Sequence, residues 1–365
     1  MHWRRFLLPF SILYAAGIRI RNFLYDRGIL KSFSFSIPII TIGNITTGGT
    51  GKTPHIEYLI RLLKNDFYVA TLSRGYGRKT KGFMLVSNPS TTTMIGDEPM
   101  QYHSKFRDIL VSVGEDRVAA VENLMKMPRR PEVILLDDAF QHRRLKAGLT
   151  IVLLEYDQIF QNDYHLPAGN LREGRSALRR ANTIVISKSP AILVPIERKR
   201  VLEHLDLLHH PSVFFSYIRY GDFTKVLGKS AGMLMGSGYY MEKRYTILLV
   251  TGIANPSGLI EHLRRNTDKL ESLIFPDHHE FDHSDIRKIQ ETFDNIANTN
   301  KIILTTEKDA MRLRNPELEP MIQHWPLFYL PIEIGFHLQE ESFNKIITEY
   351  VRKNQRSISV HPGTV

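Results

Sequence analysis

A glycine-rich loop that ends in Lys-Thr contains the residues whose chemistry is easiest to read. The loop consists of Gly48, Gly49, Thr50, Gly51, Lys52 and Thr53. Glycines let backbone N–H groups turn towards phosphate oxygens, the lysine reaches the β- and γ-phosphates, and the threonine hydroxyl binds Mg²⁺. Thr46 stands where the standard pattern has glycine, so the loop matches the shorter GGTGKT form. The pattern predicts a site for a nucleoside triphosphate and Mg²⁺.

Two pairs of adjacent carboxylates could serve that site. Asp137 and Asp138 directly follow the apolar segment Val133–Leu136. An acidic residue at the end of a buried strand is what P-loop enzymes use to hold Mg²⁺. Asp97 and Glu98 lie in a Gly-Asp-Glu-Pro segment before a helical stretch. Acidic residues are also common as caps at a helix start, so the second pair alone is a weak indication of catalysis.

Basic residues cluster in two loops that could bind anions. Arg74 and Arg78 follow a predicted strand, at the sheet edge where open α/β folds bind ligands, although a solvated loop would have the same composition. The second cluster surrounds Glu173 and comprises Arg172, Arg175, Arg179 and Arg180. It fits either an exposed basic surface or a site for a phosphorylated acceptor.

The segment Asp277–His283, with the sequence DHHEFDH, concentrates carboxylates and histidines. Such side chains can bind zinc or manganese. The segment follows a predicted strand as a loop, however, and it lacks the helical i,i+4 spacing of a zinc protease. We therefore favour a polar loop facing the cleft, in which one histidine handles protons.

The elements that must position these residues are β-branched strands alternating with amphipathic helices, which predicts a mostly parallel sheet. Strands are expected at residues 39–42, 68–72, 109–113, 133–136, 150–154 and 183–187, and again at 245–250, 270–275, 302–304 and 326–332. The predicted fold class is α/β: a P-loop NTPase-like sheet flanked by helices, a second smaller α/β domain and an N-terminal amphipathic helix. The expected divisions are an N-terminal helix (1–30), a P-loop domain (31–212), a linker (213–244), a smaller α/β domain (245–352) and a disordered tail (353–365).

Composition narrows the class of protein and of partner. A length of 365 residues suggests two domains. The 48 basic against 38 acidic residues give a net charge of +10, which favours an anionic partner: nucleic acid, a phosphorylated substrate or an acidic membrane surface. The absence of cysteine excludes disulfides and thiolate chemistry and agrees with a cytosolic setting.

The N-terminal segment has arginines on both sides of an apolar run. The uncharged run Phe6–Ile18 is shorter than the roughly 20 residues that a spanning helix needs, and no small-residue cleavage site follows it. The flanking arginines and aromatic residues are typical of a helix in a membrane interface. An amphipathic helix packed on the protein's own core is the alternative, and one helix could do both.

Seven motifs occur here in the order in which the tetraacyldisaccharide 4′-kinases carry them: GGTGKT, SRGYG, GDEP, DDAFQH, LPAGNLRE, PDHHEF and TTEKDA. The chain resembles this family from its N-terminal helix to about residue 335. The resemblance implies transfer of the ATP γ-phosphoryl group to the 4′-hydroxyl of a tetraacyldisaccharide 1-phosphate, a lipid A precursor of Gram-negative bacteria, giving lipid IVA and ADP. It also implies a Mg²⁺-dependent peripheral enzyme on the cytoplasmic face of the inner membrane, held by its N-terminal helix and without a nucleic-acid partner.

The same resemblance suggests roles for individual residues. Asp97 resembles the catalytic base, and the histidine that assists it is His278 or His279, with His278 favoured. Lys52 would contact the transferring group, and the expected metal site comprises Thr53, Glu98, Asp137 and Asp138. The resemblance adds Arg117, His142 and Glu173 as candidates that line the active site, beside Arg74 and Arg172 of the two basic loops. Ala139 departs from the glycine expected after the two aspartates. A base in one unit and a histidine in the other imply a site between domains, which closure would assemble.

Two other classes of function stay open at this point. A P-loop ATPase switch of the GGxGKT type would dimerise on ATP and hydrolyse it without an acceptor, but such proteins usually carry lysine where this chain has Thr47. A nucleic-acid-dependent NTPase would fit the positive charge and would bind with a steep salt dependence. The sequence contains no helix-turn-helix, RNA-recognition or zinc-finger pattern that would support it.

Overall fold

A computed structural model describes residues 2–88, 90–161, 163–207, 210, 212–227 and 236–360. Its strands are β1 (Ile39–Asn44), β2 (Val69–Ser73), β3 (Met84–Leu85), β4 (Leu110–Val113), β5 (Val133–Asp137), β6 (Leu149–Glu155), β7 (Thr183–Ser187), β8 (Val213–Tyr220), β9 (Thr224–Lys225), β10 (Thr246–Thr251), β11 (Leu270–Ile274), β12 (Lys301–Thr306), β13 (Leu327–Leu330) and β14 (Ile332–Phe336).

The helices are α1 (Leu8–Asp26), α2 (Lys52–Leu63), α3 (Thr92–Ile95), α4 (Asp97–Lys105), α5 (Arg117–Met125), α6 (Pro195–His204), α7 (Ser237–Glu242), α8 (Ser257–Asn266), α9 (His283–Asp294), α10 (Glu307–Leu313), α11 (Glu319–Ile322) and α12 (Glu340–Val360). Short 3₁₀ turns cover His2–Leu7, Tyr156–Gln158 and Arg175–Arg180.

Among the described residues the strands form two sheets. The larger has the order β14-β8-β7-β6-β1-β5-β2-β4-β3, and the smaller has the order β11-β10-β12-β13-β9. Neighbours in the larger sheet are parallel except at its two edges, where β3 and β14 run antiparallel to their partners. The predicted α/β fold, with a large mostly parallel sheet and a second smaller sheet, is confirmed.

Both faces of the larger sheet are covered, which explains why its central strands are apolar at nearly every position. Ile40 and Ile42 of β1 pack with α2, α4 and α12, whereas Ile39 packs on the opposite face with α5. Every residue of β1 and β5 is buried. The central strands are therefore fixed on both faces, and the residues that follow them lie together at the carboxyl edge of the sheet.

The boundaries of the two units differ from the prediction. Strand β8, expected in a linker, pairs with β7 in the larger sheet, and β14 returns from the smaller sheet to pair with β8. Residues 221–331, here called the inserted unit, therefore interrupt the P-loop unit, which contains the larger sheet. Residues 228–235 of the expected linker lie outside the described residues.

The C-terminal end also differs from the prediction, which had a disordered tail beginning at Lys353. Helix α12 extends to Val360. Its residues Phe343, Ile347 and Val351 are buried in the core of the P-loop unit. The apolar residues at helical spacing continue only to Val351, so the pattern gave no signal for the last turns. Residues 361–365 of the expected tail lie outside the described part of the chain.

Candidate active site

The glycine loop lies between β1 and α2, as the sequence predicts. Gly51 caps α2 with φ +88°, a left-handed conformation that glycine adopts without strain. The hydroxyl of Thr50 accepts a hydrogen bond from Asn44 Nδ2 at 3.0 Å, and its carbonyl accepts one from Ser187 Oγ at 2.8 Å. These contacts tie the loop to the ends of β1 and β7. Lys52 and Thr53 form the first turn of α2, where the helix dipole favours a phosphate.

The acidic pair that follows β5 lies beside this loop. Lys52 Nζ is 3.8 Å from Asp138 Oδ1, and Arg172 Nη1 donates to both oxygens of Asp138 at 2.9 and 3.0 Å. Asp137 accepts a hydrogen bond from Tyr102 at 3.0 Å. Burial, with the neighbouring charges of Glu98 and Asp138, raises the pKa of the Asp137 carboxyl to about 6. The edge of the sheet therefore concentrates negative charge that lacks a full set of positive partners.

Asp97 and Glu98 form the first turn of α4, as expected for acidic residues at a helix N-terminus. Gly96 precedes them with φ +93° and ψ 165°, a conformation that is essentially restricted to glycine. A Cβ at this position would lie 3.0 Å from the Tyr76 carbonyl oxygen. The glycine of the GDEP motif thus lets α4 begin directly against the SRGYG loop.

The inserted unit contacts both of these carboxylates. His278 Nδ1 lies 3.3 Å from Asp97 Oδ2, and Arg312 donates to the same oxygen from Nε at 3.0 Å and from Nη2 at 2.5 Å. Lys308 Nζ lies 2.6 Å from Glu98 Oε1. Burial alone would raise the pKa of Asp97, but the hydrogen bonds from His278 and Arg312 hold it well below its usual range. Asp97 is therefore a charged carboxylate in a cleft between the two units.

The DHHEFDH segment separates into residues with different contacts. Asp282 caps α9 and forms a capping box with Asp285. His279 bonds Asp285 at 2.7 Å and stacks on Phe275, whereas His278 turns towards Asp97 with φ +58°. Within the part of the chain that the structure describes, no group of three or more His, Cys, Asp or Glu residues could by itself hold a metal ion. The contact with Asp97 is thus made by His278 rather than His279.

The predicted basic residues differ in their surroundings. Arg74 is exposed, while Arg117 is buried and donates from Nη1 to the Gly114 carbonyl at 2.5 Å. Burial, reinforced by the charge of Arg117, lowers the pKa of His142 to about 4. The Nε2 atom of His142 and the Nε atom of Arg117 are buried without a described hydrogen-bond partner. Two buried polar atoms therefore lack a described hydrogen-bond partner near Asp137 and Asp138, whose charges act on Arg117.

Helix α1 packs against the loop that holds Glu173. Asn22 Nδ2 donates to Glu173 Oε2 at 2.8 Å, and Arg180 donates to the same oxygen at 2.6 Å. The Tyr14 hydroxyl donates to the Arg172 carbonyl at 3.3 Å. Glu173 is 1% exposed, and its Oε1 atom has no described partner. The interpretation that α1 packs on the protein therefore holds for one face of the helix.

Sequence reasoning did not identify three residues that join these parts. Arg312 follows the TTEKDA motif by two residues, Tyr102 lies one turn past Asp97 and Glu98, and Asn22 lies in the N-terminal helix. The available signal was indirect: Arg312 and Tyr102 follow recognised motifs at helical spacing. Nothing in the pattern around Asn22 distinguishes it from a solvated helix residue.

Comparisons of the sequence with known proteins find one family. A family model described as tetraacyldisaccharide-1-P 4′-kinase matches residues 3–352. The chain is 44% identical over 352 residues to a tetraacyldisaccharide 4′-kinase of Parabacteroides distasonis, covering 96% of this chain and 95% of the relative. It is 44% identical over 351 residues to one of Flavobacterium johnsoniae, covering 96% and 98%.

A solved structure is similar to this chain over nearly its whole length. The crystal structure of an "apo" form of LpxK from Aquifex aeolicus in complex with ATP is 30% identical to this chain, with a TM-score of 0.71, covering 96% of this chain and 99% of that one. The prediction of a family resemblance is confirmed: the chain belongs to the tetraacyldisaccharide-1-P 4′-kinase family.

Proposed function

We propose that this protein transfers the γ-phosphoryl group of ATP to the 4′-hydroxyl of a tetraacyldisaccharide 1-phosphate, releasing ADP and lipid IVA. Family membership over nearly the whole chain supports the reaction. The observation that carries the mechanism is the contact of His278 with Asp97 in the cleft between the units. No observation favours a protein-directed ATPase switch or a nucleic-acid-dependent NTPase.

The glycine loop is the proposed phosphate site. Backbone N–H groups from Gly48 to Thr53 and the N-terminus of α2 would hold the ATP phosphates, with Lys52 on the transferring group. Asp138 is the described carboxylate nearest Lys52. The 3.8 Å between Lys52 Nζ and Asp138 Oδ1 is longer than a hydrogen bond, so the ammonium group can turn to a phosphate without breaking one. The ATP-bound relative with the same fold supports ATP as the donor.

The carboxylates beside the loop fit Mg²⁺. Burial, followed by the neighbouring charges of Glu98 and Asp138, raises the pKa of the Asp137 carboxyl, so a cation beside it would be stabilised. Mg²⁺ prefers oxygen ligands, keeps several waters and uses only one or two carboxylates together with substrate phosphates. We propose that Thr53 would hold it together with one or two of the carboxylates of Glu98, Asp137 and Asp138. The bound ion supplies positive charge for the developing charge on the phosphate oxygens.

Asp97 is the proposed base. Its carboxylate takes the proton of the acceptor 4′-hydroxyl, the oxygen forms a bond to the γ-phosphorus, and the bond from that phosphorus to the β-phosphate oxygen breaks. His278 orients the carboxylate through its 3.3 Å contact. Because the two residues belong to different units, closure of the inserted unit on the P-loop unit completes the pair and excludes water.

We propose that the remaining candidate residues serve the acceptor. Half-buried His142 and buried Arg117 have ring and guanidinium nitrogens without described partners, and Glu173 keeps one unpaired oxygen. Hydroxyl and phosphate groups of a phosphorylated sugar would satisfy such groups. Arg74 and Arg172 lie at the same edge of the sheet and would add positive charge.

We further propose that the outer face of α1 lies in the surface of the inner membrane. Phe6, Phe10, Leu13 and Ile20 are 84%, 60%, 69% and 60% exposed, although they are large apolar side chains. Among the described residues no helix is long and apolar enough to cross a bilayer. An exposed apolar face flanked by arginines suits insertion at the level of the lipid head groups.

The membrane proposal is tested with point variants rather than truncation, because deleting the helix would also remove the Asn22–Glu173 contact. Phe10→Ser with Leu13→Ser should reduce sedimentation with anionic lipid vesicles by about tenfold. Ile192→Ser, which changes an apolar residue 84% exposed elsewhere, is the matched control. Equal vesicle binding by the wild type and the double variant would contradict the proposal.

The reaction is tested by following labelled γ-phosphate from Mg-ATP onto a tetraacyldisaccharide 1-phosphate in detergent micelles. We expect labelled lipid from the wild type and at least about a 100-fold lower rate from Asp97→Ala. Release of free phosphate without an acceptor, and no labelled lipid, would instead indicate an ATPase.

A further inference from the structure

Three nitrogen atoms of the inserted unit converge on one oxygen of Asp97. His278 Nδ1, Arg312 Nε and Arg312 Nη2 lie 3.3, 3.0 and 2.5 Å from Oδ2. Within the described part of the chain, every hydrogen bond and ion pair of this carboxylate with another side chain is made by Oδ2. The Asp97 side chain is 14% exposed, so the cleft leaves it some access.

Arg312 is itself held by hydrogen bonds within the inserted unit. Its Nη1 atom donates to Asp309 Oδ1 at 2.8 Å and to the Gly252 carbonyl at 3.1 Å. Asp309 also accepts from the Thr251 hydroxyl and the Gly252 amide, both at 3.0 Å. The Arg312 side chain is 4% exposed. The side chain is therefore held in one orientation by Asp309 and by Gly252 at the end of β10, and its guanidinium group faces the helix that carries Asp97.

We infer that Arg312 is a positioning residue for phosphoryl transfer, which holds Asp97 by Oδ2 so that Oδ1 faces the acceptor hydroxyl. The inference rests on the proposed role of Asp97 as the base. A guanidinium suits this task because its planar fork fixes the direction of a carboxylate as well as its charge, which a lysine cannot do equally well.

Such a contact lowers the basicity of Asp97, and the reaction tolerates this loss. Phosphoryl transfer passes through a loose transition state in which the protein contributes mainly placement and charge. A carboxylate that stays ionised at every working pH and points at the hydroxyl meets the requirement for placement of the base. The groups facing Asp97 are His278, Arg312 and, at longer range, Lys308.

A purely structural role is the competing explanation, because α10 also joins the two units elsewhere. Lys308 pairs with Glu98 at 2.6 Å, and Glu307 pairs with Lys105 at 2.7 Å. If Arg312 only strengthened this contact, its loss would lower Tm, and protein that stays folded would keep the wild-type kcat. The two explanations therefore differ in the kcat of the folded variant.

The first measurement is kcat for lipid phosphorylation by Arg312→Gln and Arg312→Lys. We expect about a 100-fold loss for the glutamine variant, with KM for ATP changed less than about threefold, because misplacing a reacting group by about 1 Å has this effect. The lysine variant should recover part of the loss, and it keeps the test valid if the glutamine variant does not fold. Arg314→Gln is the matched control, since this arginine follows α10 and donates to the Val226 carbonyl within the inserted unit.

The second measurement separates placement of Asp97 from stability. Tm and kcat are measured on the same preparations of the wild type, Arg312→Gln, Arg312→Lys and Arg314→Gln. We expect both Arg312 variants to lose kcat at temperatures well below their Tm, and Arg314→Gln to keep the wild-type kcat. Wild-type kcat in both Arg312 variants, or a kcat that falls only as far as the folded fraction falls, would overturn the inference.

The same experiment separates this inference from the proposed base. Full activity of Asp97→Asn would refute the role of the base itself. An inactive Asp97→Asn alongside fully active Arg312 variants would leave the base in place and refute only the role of Arg312.

Discussion

Replacing Asp137 by asparagine should make the ligand-free protein more stable while removing its activity. Asp137 is buried beside Glu98 and Asp138, and its pKa in the folded protein is about 6 against an ordinary value of 3.8. The folded protein thus holds this proton more tightly than the unfolded chain does. The resulting contribution to stability is complete below pH 3.8 and is lost as the pH rises through about 6.

The size of the effect follows from the difference of about two pKa units. Each unit corresponds to about 1.4 kcal/mol, so ionising Asp137 lowers the free energy of unfolding by about 3 kcal/mol at neutral pH. Asparagine carries no charge and still offers an oxygen to the Tyr102 hydroxyl, which lies 3.0 Å from the carboxylate. For a unit of this size the gain corresponds to about 6–12 °C in Tm.

The assay compares Tm of the two proteins between pH 4 and pH 7.5 without nucleotide or Mg²⁺. We expect near-equal values at pH 4, and an advantage for Asp137→Asn that grows between about pH 4 and pH 6 and stays constant above that. Asp268→Asn, at an exposed position of the inserted unit, should show no such pH-dependent difference. A variant less stable than the wild type at pH 7.5, or a difference independent of pH, would refute the reasoning.

Three further results are expected. His278→Ala should lower kcat about 10- to 100-fold, whereas His279→Ala, which loses its bond to Asp285, should lower Tm and leave kcat within about threefold; equal losses of kcat would contradict the assignment. Gly96→Ala should lower kcat and destabilise the protein by about 1–3 kcal/mol, because φ +93° is strained for alanine; an unchanged Tm would argue against that strain. Chelating Mg²⁺ with EDTA should abolish phosphoryl transfer, and added Mg²⁺ should restore it; transfer that persists in EDTA would remove the proposed metal role.

The sequence was sufficient for those parts of the fold that depend on local pattern. Runs such as Ile39–Ile42 predicted buried parallel strands, because both faces of the larger sheet are covered. The glycine loop and the acidic residues after β5 were predictable because their spacing is tied to one strand end each. The fold class and the family were confirmed; the individual site roles stay proposals.

Long-range pairing set the limit of what could be predicted. Strand β14 pairs with β8 across the whole inserted unit, and no local feature of Ile332–Phe336 indicates which sheet it joins. Arg312 was missed for the same reason, since its partner Asp97 is 215 positions away in the chain. Such contacts depend on how two units pack, and periodicity within one element carries no information about that packing.

The late return of the chain to the larger sheet has a consequence for the order of synthesis and folding. Strand β14 and helix α12 close the outer edge and one face of the P-loop unit, and the Tyr350 hydroxyl bonds both the amide and the carbonyl of Ile39 in the central strand. At about 5–20 residues per second, the ribosome needs roughly 6–22 seconds to make residues 221–331 before it reaches β14. During that time the β8 edge stays open to other chains. A shortened C-terminus that lacks β14 and α12 would leave this nascent-chain state permanent.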